Sequence, residues 1–88
     1  WLMLFMINWS IDGNNVREVN DRFSNGEEKF FGIELVGRWH APGNIGVAIV
    51  ETGDAVSLNK YLMQWDDLCD VGVTPVMDDE GALKSLES

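Results

Sequence analysis

An α+β fold built on a four-stranded antiparallel sheet is predicted by three features of the sequence. The hydrophobic repeat switches between strand and helix periods in the order β-α-β-β-α-β, with a short helix at the end. A Pro-Gly pair, with no helix, separates the second strand from the third. The first and third strands are apolar on both faces, as strands covered from both sides are. The 88 residues read as one domain, 1–88.

The first strand is expected from Leu2 to Trp9, where Met3, Phe5, Ile7 and Trp9 alternate with Leu4, Met6 and Asn8. Asp12-Gly13-Asn14 then supplies turn chemistry. A helix from Asn15 to Ser24 carries Val16, Val19 and Phe23 on one stripe, with Asn15 as N-cap, Glu18 as partner in a variant capping box and Gly26 as stop. Glu27-Glu28-Lys29 reads as a solvated connection. The second strand spans Ile33 to His40 and the third Ile45 to Thr52, around a type II turn at Pro42-Gly43. The tightest register sets Trp39 opposite Gly46 and Gly37 opposite Ala48. It puts Val36, Arg38 and His40 on the other face beside Ile49, Val47 and Ile45, with Glu34 and Glu51 candidates for that face too.

Asp54 is the expected N-cap of a second helix, Ala55 to Gln64, with Ala55, Leu58, Leu62 and Trp65 in a stripe that Tyr61 widens. The acidic run after Trp65 opposes the helix dipole and should end the helix there. Val71 to Val76 forms the fourth strand, with Pro75 marking an edge. Asp78-Asp79-Glu80 opens a last helix whose inner face would carry Leu83 and Leu86.

Two helices and four strands in this order are the split β-α-β, or ferredoxin-like, arrangement. Its helices cover one sheet face only. The cheapest cover for the other is a second copy of the same sheet, so a homodimer packed sheet on sheet is expected.

Charge narrows the partners. Six Lys and Arg against fifteen Asp and Glu give a net charge of −9, which disfavours nucleic acid and anionic membrane surfaces. The single cysteine, Cys69, rules out an internal disulfide, and there is no zinc spacing. The apolar run from Trp1 to Ile7 is too short for a membrane span and lacks the flanks of a signal peptide, so a reduced cytoplasmic setting is expected. Met3 is a candidate start, and Trp1 is given no weight. The basic and aromatic motifs of RNA-recognition sheets, the CxxC of copper chaperones and the Arg-bearing anion loop of acylphosphatases are missing. Gly43 and Gly46 join two strands and form no phosphate loop.

Several segments carry a family resemblance. Leu4-Phe5-Met6-Ile7, Val36-Gly37-Arg38-Trp39-His40, Val47-Ala48-Ile49-Val50-Glu51-Thr52, Gln64-Trp65-Asp66-Asp67-Leu68 and Val73-Thr74-Pro75-Val76 resemble, in this order, a family of small uncharacterised proteins over roughly residues 3–80. Gly37-Arg38-Trp39-His40 and Gln64-Trp65-Asp66-Asp67-Leu68 are its specific part. Such proteins are similar to the dimeric α+β barrel group, which includes cofactor-free monooxygenases and haem-degrading enzymes. The resemblance implies the fold and a dimer, and assigns no activity. Haem-degrading relatives use Asn, Trp and a helical His. This chain offers Asn8, Trp65 and His40, but His40 lies on a strand, which argues against haem degradation.

His40 and Arg38 are the candidate catalytic pair. Imidazole suits proton transfer near neutral pH, and guanidinium suits an enolate or carboxylate. The plainer alternative is a strand-end histidine with Arg38 paired to a carboxylate. Trp9, Trp39, Tyr61, Trp65 and Glu51 are the candidate ligand-binding residues, for a small apolar or anionic molecule between sheet and helices. Core packing is the alternative for the aromatics. Asp66, Asp67 and Asp70 lack a calcium-loop spacing and read as a solvated helix end, and Cys69 as a small buried residue. No metal or cofactor is expected.

Overall fold

The computed structural model describes residues 2–87; Trp1 lies outside the described residues. Strand β1 (Met3–Ile11) leads through a turn to helix α1 (Val16–Ser24), followed by β2 (Glu34–Ala41), β3 (Ile45–Thr52), helix α2 (Ala55–Met63), β4 (Cys69–Val76) and helix α3 (Asp79–Lys84). The sheet order is β2-β3-β1-β4, with every neighbouring pair antiparallel. This is the ferredoxin-like arrangement, with β1 and β3 at the centre.

The core lies on one side of the sheet. Ile7 and Val50 from the central strands meet Ile33, Leu58 and Tyr61, and Phe5, Phe30, Leu35, Leu62 and Trp65 pack around them. Leu58 and Tyr61 are the buried members of the α2 stripe. Asp54 caps α2 as expected, accepting from the Val56 N–H at 2.9 Å and the Ser57 hydroxyl at 2.9 Å. These two donors hold its carboxyl below the usual range. After Met63 the chain tightens, with Trp65 and Asp66 N–H both donating to the Leu62 carbonyl.

Three local expectations are corrected. Asn15 occupies the N-cap position of α1 without a side-chain cap bond. Its amide instead donates to the Leu68 carbonyl at 3.1 Å, and Glu18 turns to Arg22. Leu83 and Leu86 have no inner face to rest on, since they are 65% and 82% exposed and α3 has no buried residue.

The third correction decides where the candidate site lies. The β2–β3 loop holds three residues rather than two, with Gly43 at φ 95° and Asn44 at φ 65°. Arg38 therefore faces Ala48, His40 faces Gly46, Trp39 faces Val47 and Gly37 faces Ile49. A β-bulge between Leu35 and Gly37 restores Leu35 opposite Val50 and Glu34 opposite Glu51. A one-residue slip turns every side chain to the other face, so Arg38 and His40 join Ile7 and Ala48 on the helix side. The two glycines still make room for indoles, with different partners. A Cβ on Gly46 would run into the Trp9 ring, and one on Gly37 would lie 2.5 Å from the Trp39 ring.

Among the described residues no helix is long and apolar enough to cross a membrane. The Cα envelope is only 17 Å along its thinnest axis, room for one sheet and one layer of helices. Among the described residues no element forms a layer over the second sheet face.

Candidate functional site

On the helix side, sheet and helices do not close completely. They leave a cleft with about 90 Å³ of open space. Ile7, Trp9, Ala48 and Val71 form its floor, and Val19, Phe23, Leu62 and Trp65 its walls. Trp9 fits there because Gly46, its cross-strand partner, has no side chain. Cys69 also lines the cleft, and burial pushes its thiol up from the ordinary value, with the Asp67 charge adding to the effect. A raised thiol holds little thiolate at neutral pH, which makes it an unreactive wall residue.

The polar end of the cleft is built around Glu28. Both Glu28 carboxylate oxygens lie 2.8 Å from Nη1 of Arg38, and the Tyr61 hydroxyl donates to Oε2 at 2.7 Å. The Glu28 side chain is 7% exposed and that of Arg38 18%. Arg38 also lies over the Phe23 ring, 4.9 Å from its centre. Among the described residues all hydrogen bonds of Arg38 run through Nη1, leaving Nε and Nη2 as donors without a protein partner. His40 completes the rim, its ring 5.7 Å from Trp9 in an edge arrangement and 5.6 Å from Phe23.

The loop that delivers Glu28 is clamped from α2. Gln64 accepts from the Lys29 N–H at 3.0 Å and donates to the Lys29 carbonyl at 2.6 Å. Arg22 reaches from α1 to the Gln64 carbonyl at 2.7 Å and to Asp67 at 3.0 Å. The Arg22 guanidinium holds the Asp67 carboxyl below the usual carboxylate range. The segment Gln64-Trp65-Asp66-Asp67-Leu68 thus clamps a loop, lines the cleft, ties α1 and buries a leucine.

Burial raises the Tyr61 phenol far above its ordinary value, and the Glu28 carboxylate adds to the shift. Stability from this group is therefore complete below the unfolded value near 10 and falls as pH rises above it toward the folded value. Tyr61 is the only tyrosine, so phenolate absorbance reports it alone. Folded protein at pH ~11 should show almost no phenolate, whereas the urea-unfolded chain should be largely ionised there. Equal phenolate in both states would contradict the buried Tyr61–Glu28 contact.

The structure gathers Arg38, His40, Trp9, Tyr61 and Trp65 at one cleft. Trp39 and Glu51 do not join them. Trp39, 59% exposed, pairs with Val47 on the other face, and Glu51 pairs with Leu4 and Glu34 there. Asn8, too, sits over Gly72 on that face, away from Trp65 and His40. Glu28 was missed, because the acidic stretch around it has no periodicity and reads as solvated. The plainer expectation for Arg38 had named a carboxylate partner without locating it. Phe23 belongs to the cleft rim rather than the core.

The family model described as "Domain of unknown function (DUF3303)" matches residues 3–88. The chain belongs to this family. The DUF3303 match takes in all four strands and both helices around the cleft, so Glu28, Arg38, His40 and Tyr61 all fall within the family domain. No curated protein and no solved structure matches the chain.

Proposed function

We propose that this DUF3303 chain is a homodimeric binding protein that takes a small, largely apolar molecule in the cleft between sheet and helices. The observation that carries this reading is the cleft itself, an apolar recess with polar groups gathered at one end. The Trp9, Trp65 and Phe23 rings that line it suit a flat ring. The uncovered sheet face and the exposed Leu83 and Leu86 near the end of the chain support the dimer. One free cysteine fits a reducing, cytoplasmic setting.

A second reading is a cofactor-free monooxygenase- or isomerase-like enzyme using His40 and Arg38. It is favoured by the position of His40 in the same cleft wall. Arg38 is engaged by Glu28, which reduces its use as an anion stabiliser, so binding without chemistry is the stronger reading.

Titration with 1-naphthamide, followed through the indole N–H signals in NMR spectra, tests the proposal. Saturable shifts are expected for Trp9 and Trp65, with Trp39 unmoved on the far face. Unsaturable shifts, or shifts confined to Trp39, would refute binding in the cleft.

A further inference from the structure

We infer that the cleft selects uncharged ligands bearing a hydrogen-bond acceptor, such as an amide or ketone carbonyl, and that Glu28 sets this selectivity by neutralising Arg38 from inside the protein. The inference rests on the cleft being a binding site, and it adds the chemical class of the ligand.

The cleft holds one cation and one anion, and they already face each other. Arg38 is the only Lys or Arg in its lining, and both oxygens of Glu28 lie 2.8 Å from Nη1. A ligand carboxylate arriving at Arg38 meets a charge already balanced by a nearly buried carboxylate. It would also lose its water in a largely apolar recess, within a chain of net charge −9. A ligand ammonium fares no better, because it has to displace Arg38 and Tyr61 from Glu28. A neutral carbonyl oxygen carries no such penalty. Nε and Nη2 of Arg38, without partners among the described residues, are donors for it. The guanidinium plane, stacked near Phe23, continues the aromatic wall to that point.

Three probes with one ring system separate the terms: 1-naphthamide, 1-naphthoate and 1-methylnaphthalene, each titrated against the Trp9 and Trp65 indole signals. In the wild-type chain the amide should bind at least about tenfold more tightly than the carboxylate. In Glu28→Gln the residue keeps an oxygen for the Tyr61 hydroxyl and returns to Arg38 its uncompensated charge. The order should then reverse, with naphthoate gaining about tenfold or more. Equal or tighter binding of naphthoate to the wild-type chain overturns the inference, as does an unchanged ratio in a folded Glu28→Gln variant. Should that variant fail to fold, the wild-type ratio decides. If none of the three probes moves Trp9 or Trp65, the cleft is no binding site, and both proposals fall. A carboxylate preference in the wild-type chain refutes the selectivity alone.

Discussion

Arg38→Met is expected to destabilise the protein by ~3–5 kcal/mol, the usual consequence of removing one member of a buried ion pair. Glu28, 7% exposed, would keep only the Tyr61 hydroxyl as a partner for its charge. Small domains have stabilities of roughly 5–15 kcal/mol, so such a loss leaves a substantial unfolded fraction. The pair itself need not be worth that much. Its charges lose hydration on burial, and replacing both members removes that penalty together with the attraction. The double variant Glu28→Gln, Arg38→Met should therefore recover most of the loss. Glu28→Gln alone should be milder than Arg38→Met, because Arg38 is more exposed and reaches the open cleft. Urea unfolding of the three variants measures all of this. An Arg38→Met midpoint equal to that of the wild-type chain would mean that the pair is solvated.

The strand and helix order was legible because periodicity is a local signal. Ile45–Thr52 and the Asp54 cap of α2 stand as the residues predict. The face carrying Arg38 and His40 was not legible. It depends on one additional loop residue at Asn44, and nothing in residue type alone selects a three-residue loop over a two-residue one. Glu28 was hidden for a different reason. Its partners lie 10 and 33 positions away in sequence, and a carboxylate buried by such contacts looks no different from a solvated one. The aromatic members of the site were visible as helical and strand stripes, which makes them equally good core residues. Only the gap left by Gly46 beside Trp9 separates the two roles, and that requires the register.

Ile49→Lys is expected to abolish the proposed dimer while leaving the cleft intact. Ile49 lies in central strand β3 on the uncovered face, between Met6 and Gly37. Around it the face presents Val47 on the same strand, Leu4 and Met6 on β1 and the broad Trp39 side chain on β2. Single exposed apolar residues need no explanation, but an apolar cluster at the centre of a sheet face does. Two copies stacked through it would each cover what the other lacks. A lysine at the centre would have to bury its charge, and the dissociation constant should rise at least ~30-fold, in line with hot-spot losses of about 2 kcal/mol or more. Electrostatics works against pairing even in the wild-type chain, since each copy carries −9 and Glu34 lies opposite Glu51 on this face. Salt should therefore tighten the dimer by screening. Sedimentation checks both statements. A wild-type species that sediments at 9.9 kDa in low and high salt alike would remove the dimer and leave the cleft proposal standing by itself.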